Sequence, residues 1–328
     1  MAENEIELEI SNEVFSELKK HDSFNNMEKY SQTKITEHIK NTFKKAKNGL
    51  WYIPHDELEI RHPNFAGGAF STIHNCNWRG SNVVVKKPIN KNINNLLEFV
   101  REIEVCSTLR HPNLVQFLGI SFNDGELMII LEKITGENLE TFINRKQSFI
   151  SLTVKKHIIS QLVTTFKFLH NCNPPIIYRD LKPENVLIDK TNNIKLTDFG
   201  LSKYFQSNNN EAYMLSGGTG TVRYMAPEVY NNEKYDLTVD VYSLGLIIYY
   251  LYTNEKPFRD YSIETIKTYF STPDLILSTE KIRSKDIKSI INKCIDKQAT
   301  RRYSSDKLFN AWQQYLKVNE NGMKCIVF

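Results

Sequence analysis

The sequence predicts an α+β fold: a small strand-rich lobe with one long helix, then a larger, mainly helical lobe. Three observations carry that reading. Short apolar runs, Val83-Val84-Val85 and Leu127 to Leu131, are bounded by turn-forming residues and read as buried strands. A helical stretch, Leu96 to Leu109, lies between them. Beyond about Ile134 the pattern is mostly helical and ends near Leu316. Strands gathered early and helices gathered late are the mark of an α+β layout.

The order along the chain gives three zones: an extension at 1–50, one domain at 51–316, and a polar tail with an apolar tip at 317–328. The extension has halves of opposite charge. Glu3, Glu5, Glu7 and Glu9 make its start acidic, whereas Lys34, Lys40, Lys44, Lys45 and Lys47 make the segment from Thr33 basic. Within that basic segment Ile35, Ile39, Phe43 and Ala46 recur at helical spacing, which predicts an amphipathic helix. Packing of that helix on its own domain is favoured over a membrane-surface or partner-binding role.

Composition removes several classes of function. Hydrophobic residues at 41% and charged residues at 24% describe a globular chain, not a fibre or a disordered segment. A net charge of +4 over 328 residues gives no case for nucleic-acid binding. The five cysteines, Cys76, Cys106, Cys172, Cys294 and Cys325, are scattered without a C-x-x-C pair. That argues against a disulfide framework or a zinc site and fits a reducing compartment. The start of the chain lacks the basic and apolar segments of a secretory signal, and Ala2 stands where N-myristoylation requires glycine. The most apolar run, Leu244 to Tyr252, is too short to cross a bilayer and reads as a buried core helix. The expected location is cytoplasmic.

The residues that carry chemistry come in a set order. Lys86 ends the strand Val83-Val84-Val85, and Glu102 follows in Phe99-Val100-Arg101-Glu102-Ile103 ahead of the turn Leu109-Arg110-His111-Pro112-Asn113. Lys87 competes with Lys86, but strand alternation favours Lys86. Next comes Tyr178-Arg179-Asp180-Leu181-Lys182-Pro183-Glu184-Asn185, then Asp198-Phe199-Gly200 after the apolar run Ile194 to Leu196. Gly220-Thr221-Val222-Arg223-Tyr224-Met225-Ala226-Pro227-Glu228 follows, and later Asp240 and Arg302.

In this order the chain closely resembles the protein kinases, from about residue 51 to 316. The resemblance implies a bilobal fold and transfer of the γ-phosphate of ATP to protein hydroxyl groups, with Mg²⁺ as the ion and Mn²⁺ as an alternative. It makes Asp180 the acceptor of the substrate proton, Lys182 a contact to the transferred phosphate, and Asn185 and Asp198 the metal ligands. Mg²⁺ takes hard oxygen ligands, which suits both. Lys86 pairs with the α/β-phosphates and with Glu102. Phe65, Ala66, Gly67, Gly68, Ala69, Phe70, Ser71, Thr72 and Ile73 supply the phosphate loop. Ile73, Val84 and Leu187 sit against adenine, Leu131 is the gatekeeper, and the backbones of Glu132 and Ile134 form the hinge. Thr221 is expected near Asp180 and Lys182, Glu228 pairs with Arg302, and Asp240 braces the catalytic loop.

Two departures from the family pattern stand out. Tyr178 occupies a position where histidine is commonest. The phosphate loop keeps only its middle glycine, Gly68, with Ala66 and Ser71 at the other two positions and Gly67 adding local freedom. That loop leaves a second reading open, a nucleotide-binding signalling scaffold with little transferase activity.

Lys182-Pro183-Glu184 favours serine and threonine over tyrosine as acceptor, with dual specificity as a third reading. The lead-in Trp51-Tyr52-Ile53-Pro54-His55-Asp56-Glu57-Leu58, together with Trp78-Arg79-Gly80, resembles the tyrosine-kinase-like group of Ser/Thr kinases. Arg179 before Asp180 suggests control by phosphorylation of the activation segment, with Ser216 and Thr219 best placed and Ser207 and Tyr213 behind them. The chain ends Cys325-Ile326-Val327-Phe328, which reads as a C-a-a-X box whose terminal Phe favours geranylgeranyl, and hence reversible membrane association.

Overall fold

The structure is a computed structural model that describes residues 29–67, 71–89, 93–123, 126–146, 150–205, 221–272 and 277–324. The chain divides into two compact units, residues 1–110 with 115–134, and residues 111–114 with 135–328.

The described part of the first unit starts with helix α1, Lys29–Asn48, where the lysine-rich amphipathic segment is expected. Its apolar residues Ile39, Phe43 and Ala46 are buried on the unit itself, so the helix packs on its own domain. Strands β1 (Leu58–Gly67), β2 (Ser71–Trp78) and β3 (Ser81–Pro88) follow, then helix α2 (Ile93–Thr108) and strands β4 (Phe117–Asn123) and β5 (Glu126–Glu132). They form one antiparallel sheet in the order β1-β2-β3-β5-β4. Alternation along β3 explains its role: Val83 and Val85 enter a core with Ile53, Leu58, Cys76, Met128 and Ile130, while Val84 takes the opposite face. The register sets Lys86 opposite Ile73 on one side and Ile129 on the other, which fixes the lysine in mid-sheet.

The two lead-in segments meet in this unit. Glu57 accepts bonds from Trp78 Nε1 at 2.9 Å and Arg79 Nε at 2.8 Å.

The second unit is mainly helical, with two small sheets. Strand β6 (Gly136–Asn138) leads to helices α3 (Leu139–Lys146) and α4 (Leu152–His170), then strands β7 (Ile176–Ile177), β8 (Val186–Asp189), β9 (Ile194–Leu196) and β10 (Lys203–Tyr204). Sheet order is β6-β8-β9 and β10-β7. Helices α5 (Pro227–Tyr230), α6 (Thr238–Thr253), α7 (Ile263–Ser271), α8 (Lys285–Cys294) and α9 (Ser305–Lys324) complete it. Ser151 caps α4 by accepting from Val154 N at 3.3 Å, and Ser284 caps α8 from Ile287 N at 3.4 Å.

Helix α6 is rich in apolar residues and Val239 to Leu251 are all buried, so it forms the centre of the unit. Gly245 lets α8 cross it closely: a Cβ there would lie 2.5 Å from Cys294 Cβ. No described helix is long and apolar enough to cross a membrane.

The last helix runs past the point where the sequence suggests that helical structure ends. The sequence places the helical region's end near Leu316 and a tail from Lys317, whereas α9 runs to Lys324. No proline interrupts the segment, so the weak helix formers Asn319, Asn321 and Gly322 are carried by the helix already nucleated ahead of them. Cys325 and the rest of the expected C-a-a-X box lie outside the described residues.

Candidate active site

In the first unit the sequence places Lys86 against Glu102, and the structure joins them. Lys86 Nζ donates to Glu102 Oε1 at 2.6 Å and Oε2 at 2.8 Å, and both residues are buried. Lys87, the competing candidate, turns instead to Glu126 Oε2 at 3.3 Å. A buried pair of this kind is held by mutual dependence, because losing one partner leaves a desolvated charge.

The proposed phosphate loop is only partly described. Gly68, Ala69 and Phe70 lie outside the described residues, as do the side chains of Phe65 and Ala66. The backbone pairs Ala66 with Ile73 and Gly67 with Thr72, so the two limbs of the loop leave adjacent strands. Ser71 is buried, and Thr72 Oγ1 lies 3.0 Å from His74 Nε2. Ile73 and Val84 are partly buried. At the expected hinge Glu132 N donates to Gln116 O at 2.9 Å and Glu132 Oε1 accepts from Gln116 N at 2.7 Å, while Ile134 is partly buried.

In the second unit the loop expected to be catalytic lies between β7 and β8, and Asp240 of α6 holds its start. Asp240 Oδ2 accepts from Tyr178 N at 2.8 Å, and Oδ1 accepts from Arg179 N at 2.8 Å. His170 Nε2, at the end of α4, adds a third contact to Oδ2 at 3.0 Å. This grip matters because Arg179 is left-handed, with φ +69°. Its guanidinium donates to Leu201 O and, at 3.1 Å, to Tyr235 Oη. Neither His170 nor Tyr235 is singled out by any sequence motif.

Asp180 follows and is 6% exposed. Its Oδ2 accepts from Lys182 Nζ at 2.8 Å and from Asn185 Nδ2 at 2.8 Å. Its Oδ1 is buried with no protein partner. Burial pushes the Asp180 carboxyl above its ordinary range; Lys182 beside it draws the value back down, and the charge of Asp198 adds to the rise.

Asp198 is tied to this loop through its neighbours. Thr197 N donates to Asn185 O at 3.0 Å, and the Tyr178 hydroxyl donates to Thr197 O. Burial drives the Tyr178 hydroxyl far above its usual pKa, so it stays a proton donor. Phe199 is buried with its ring edge-on to Tyr178 at 5.2 Å. Tyrosine in place of histidine therefore has a local role, fastening the segment that carries Asp198. Asp198 itself is left-handed, with φ +61°, and its Oδ1 lies 3.4 Å from Gly200 N. Leu187, the expected adenine contact of this unit, is partly buried in β8.

Asn185 and Asp198 fit a magnesium ion by donor type. The Asn185 amide nitrogen is committed to Asp180 O at 2.9 Å and Oδ2 at 2.8 Å, which leaves the amide oxygen for a cation. Asp198 brings a carboxylate, and both are hard oxygen donors.

The scaffold pair also forms. Arg302 Nη1 donates to Glu228 Oε1 at 2.6 Å and Nη2 to Oε2 at 3.1 Å, in a two-pronged buried contact. Ser207, Tyr213, Ser216 and Thr219 lie outside the described residues, as does the side chain of Thr221.

A strand-borne lysine paired with a helix glutamate, and a braced loop bearing Asp180, Lys182 and Asn185 ahead of Asp198, define a protein kinase. Residues 64–314 match the protein kinase domain family, and the chain belongs to it. Its relatives include the serine/threonine-protein kinase VIK of Arabidopsis thaliana, 33% identical over 261 residues, which is 77% of this chain and 59% of that protein. The serine/threonine-protein kinase CTR1 of Arabidopsis thaliana is 34% identical over 210 residues, 62% of this chain and 25% of that protein. The chain thus spans less than two thirds of the length of either relative.

Proposed function

We propose that this chain is an ATP-dependent protein kinase of the tyrosine-kinase-like group, with residues 51–316 as its catalytic domain and serine and threonine as acceptors. One observation carries the reading above the others: Asp180 is a buried carboxylate with one oxygen held by Lys182 and Asn185 and the other without a protein partner. A base that must receive a hydroxyl proton needs such an open oxygen, aimed by the bonds on its twin.

In this mechanism Asp180 Oδ1 orients the substrate hydroxyl and takes its proton as the oxygen bonds to the γ-phosphorus, while the bond from that phosphorus to the β–γ bridging oxygen breaks and ADP leaves. Lys182 then balances charge on the transferred phosphoryl group. Lys86, fixed by Glu102, binds the α/β-phosphates of ATP. Asn185 and Asp198 would hold a magnesium ion, which when bound would neutralise the polyphosphate charge. Phosphorylation of Ser216 or Thr219 is the proposed control, with Arg179 as the receiving cation.

Radiolabelled ATP with Mg²⁺ and a generic protein acceptor tests this, with wild type beside Asp180→Asn and phosphoamino-acid analysis of the product. Phosphoserine or phosphothreonine from wild type, lost in the variant, is the expected result. Equal labelling by the variant sinks the assignment of Asp180, and a wild type that binds ATP without transfer favours the scaffold.

A further inference from the structure

The family match begins at residue 64, yet residues 29–63 are built into the first unit. Leaving α1, Trp51 N donates to Ala46 O at 2.9 Å, Ile120 N donates to Trp51 O at 2.9 Å, and Ile53 N donates to Ile120 O at 2.8 Å. Tyr52 therefore bridges Ile120 in parallel and extends the sheet beside β4. Gly119 permits the approach, since a Cβ there would stand 2.2 Å from the Trp51 carbonyl oxygen. Side chains close the joint: Trp51 meets Phe117 edge-on at 5.3 Å, and Phe43 of α1 meets Phe122 edge-on at 5.8 Å.

Helix α1 also packs against α2. Glu104 of α2 lies 3.4 Å from His38 Nε2 and 4.0 Å from Lys45 Nζ, both on α1. Glu102 is two residues earlier, about 200° away around the helix. One side of α2 is thus held by β3 through Lys86 and Glu102, and the opposite side is held by α1.

We infer that α1 is a positioning element for the Lys86–Glu102 pair, so that the extension before the kinase domain sets how well the enzyme grips ATP. The inference rests on the kinase reading above and extends it to a segment outside the family match. Its physical basis is that the ion pair alone does not fix where α2 lies. The seam of Ile39, Phe43 and Ala46 is buried, and Phe43 packs on Phe122 of β4, which anchors α1 where it lies against α2. With that anchor loosened, α2 shifts, and a displacement of about 1 Å is enough to degrade a phosphate-binding geometry.

A double-mutant cycle on the full chain tests it. Phe43→Ala and the milder Phe43→Leu are each made in wild type and in Glu102→Gln, with kcat/KM for ATP and Tm measured throughout. Phe43→Ala is expected to lower kcat/KM for ATP about 10-fold in wild type and less than about 2-fold in Glu102→Gln, where no pair remains to be positioned. Equal fold-losses in both backgrounds, or no loss in wild type, overturn the inference. If Phe43→Ala does not fold, Phe43→Leu closes the same cycle with a smaller loss and the same pattern. An inactive wild type removes the kinase reading and this inference with it; an active wild type with an additive cycle removes this inference alone.

Discussion

Asp240→Asn keeps the shape of the side chain and removes its charge, which isolates the brace under the catalytic loop. The carboxylate now accepts two backbone bonds at 2.8 Å, from Tyr178 and Arg179, and one contact at 3.0 Å from His170. An amide has one accepting oxygen, so one of the two backbone N–H groups would face an NH₂ donor. Loss of a charge-assisted bond costs roughly 1.5–3 kcal/mol, and the orphaned buried donor roughly 1–3 kcal/mol more. The expected destabilisation is therefore about 2.5–6 kcal/mol. For a unit of the size of residues 135–328 that lowers Tm by about 10 °C. Catalysis should fall further than folding, because Arg179 at φ +69° is held in place by the lost bonds and Asp180 is its next neighbour. A shift of about 1 Å in a catalytic group can cost about 100-fold.

The assay is thermal unfolding beside kcat at saturating ATP, with His170→Ala as a partner that removes only one of the three contacts. His170→Ala should cost less on both measures. An Asp240→Asn enzyme within about threefold of wild type, melting within about 2 °C of it, would refute the brace.

The parts that could be read in advance are those whose spacing is set along the chain. Lys86 is legible because alternation in β3 buries Val83 and Val85 and the register ends on a lysine in mid-sheet. Asp180, Lys182 and Asn185 are legible because the run from Tyr178 to Asn185 resembles the kinase catalytic loop in register, and the structure bonds Lys182 and Asn185 to Asp180. Partners from distant segments were not legible. His170 lies 70 residues before Asp240, and Tyr235 lies 56 after Arg179, so no local pattern links them. Periodicity likewise showed that the segment of Ile39, Phe43 and Ala46 has an apolar face without showing that α2 and β4 would cover it. The substitution of Tyr178 for histidine looked like a mere departure. Its use became visible only when its hydroxyl met the carbonyl of Thr197, beside Asp198.

Two further predictions concern the second unit. Arg302→Leu leaves the buried Glu228 carboxylate without its two-pronged partner, at 2.6 and 3.1 Å in wild type, so urea unfolding should show a loss of about 3–5 kcal/mol; a loss below about 1 kcal/mol would mean the pair carries little. The pH dependence of kcat/KM gives the sharper test of Asp180. The base acts as the carboxylate, and burial raises its pKa above the ordinary range, so activity should fall as pH drops through a value higher than that of a free aspartate. Lys182 draws that pKa down, both by its charge and by its 2.8 Å bond. Lys182→Met should therefore lower the rate and also move the acidic limb to higher pH, because the neutral acid is then favoured over the unpaired buried carboxylate. A limb that stays in place, or moves to lower pH, would show that the titrating group is not Asp180.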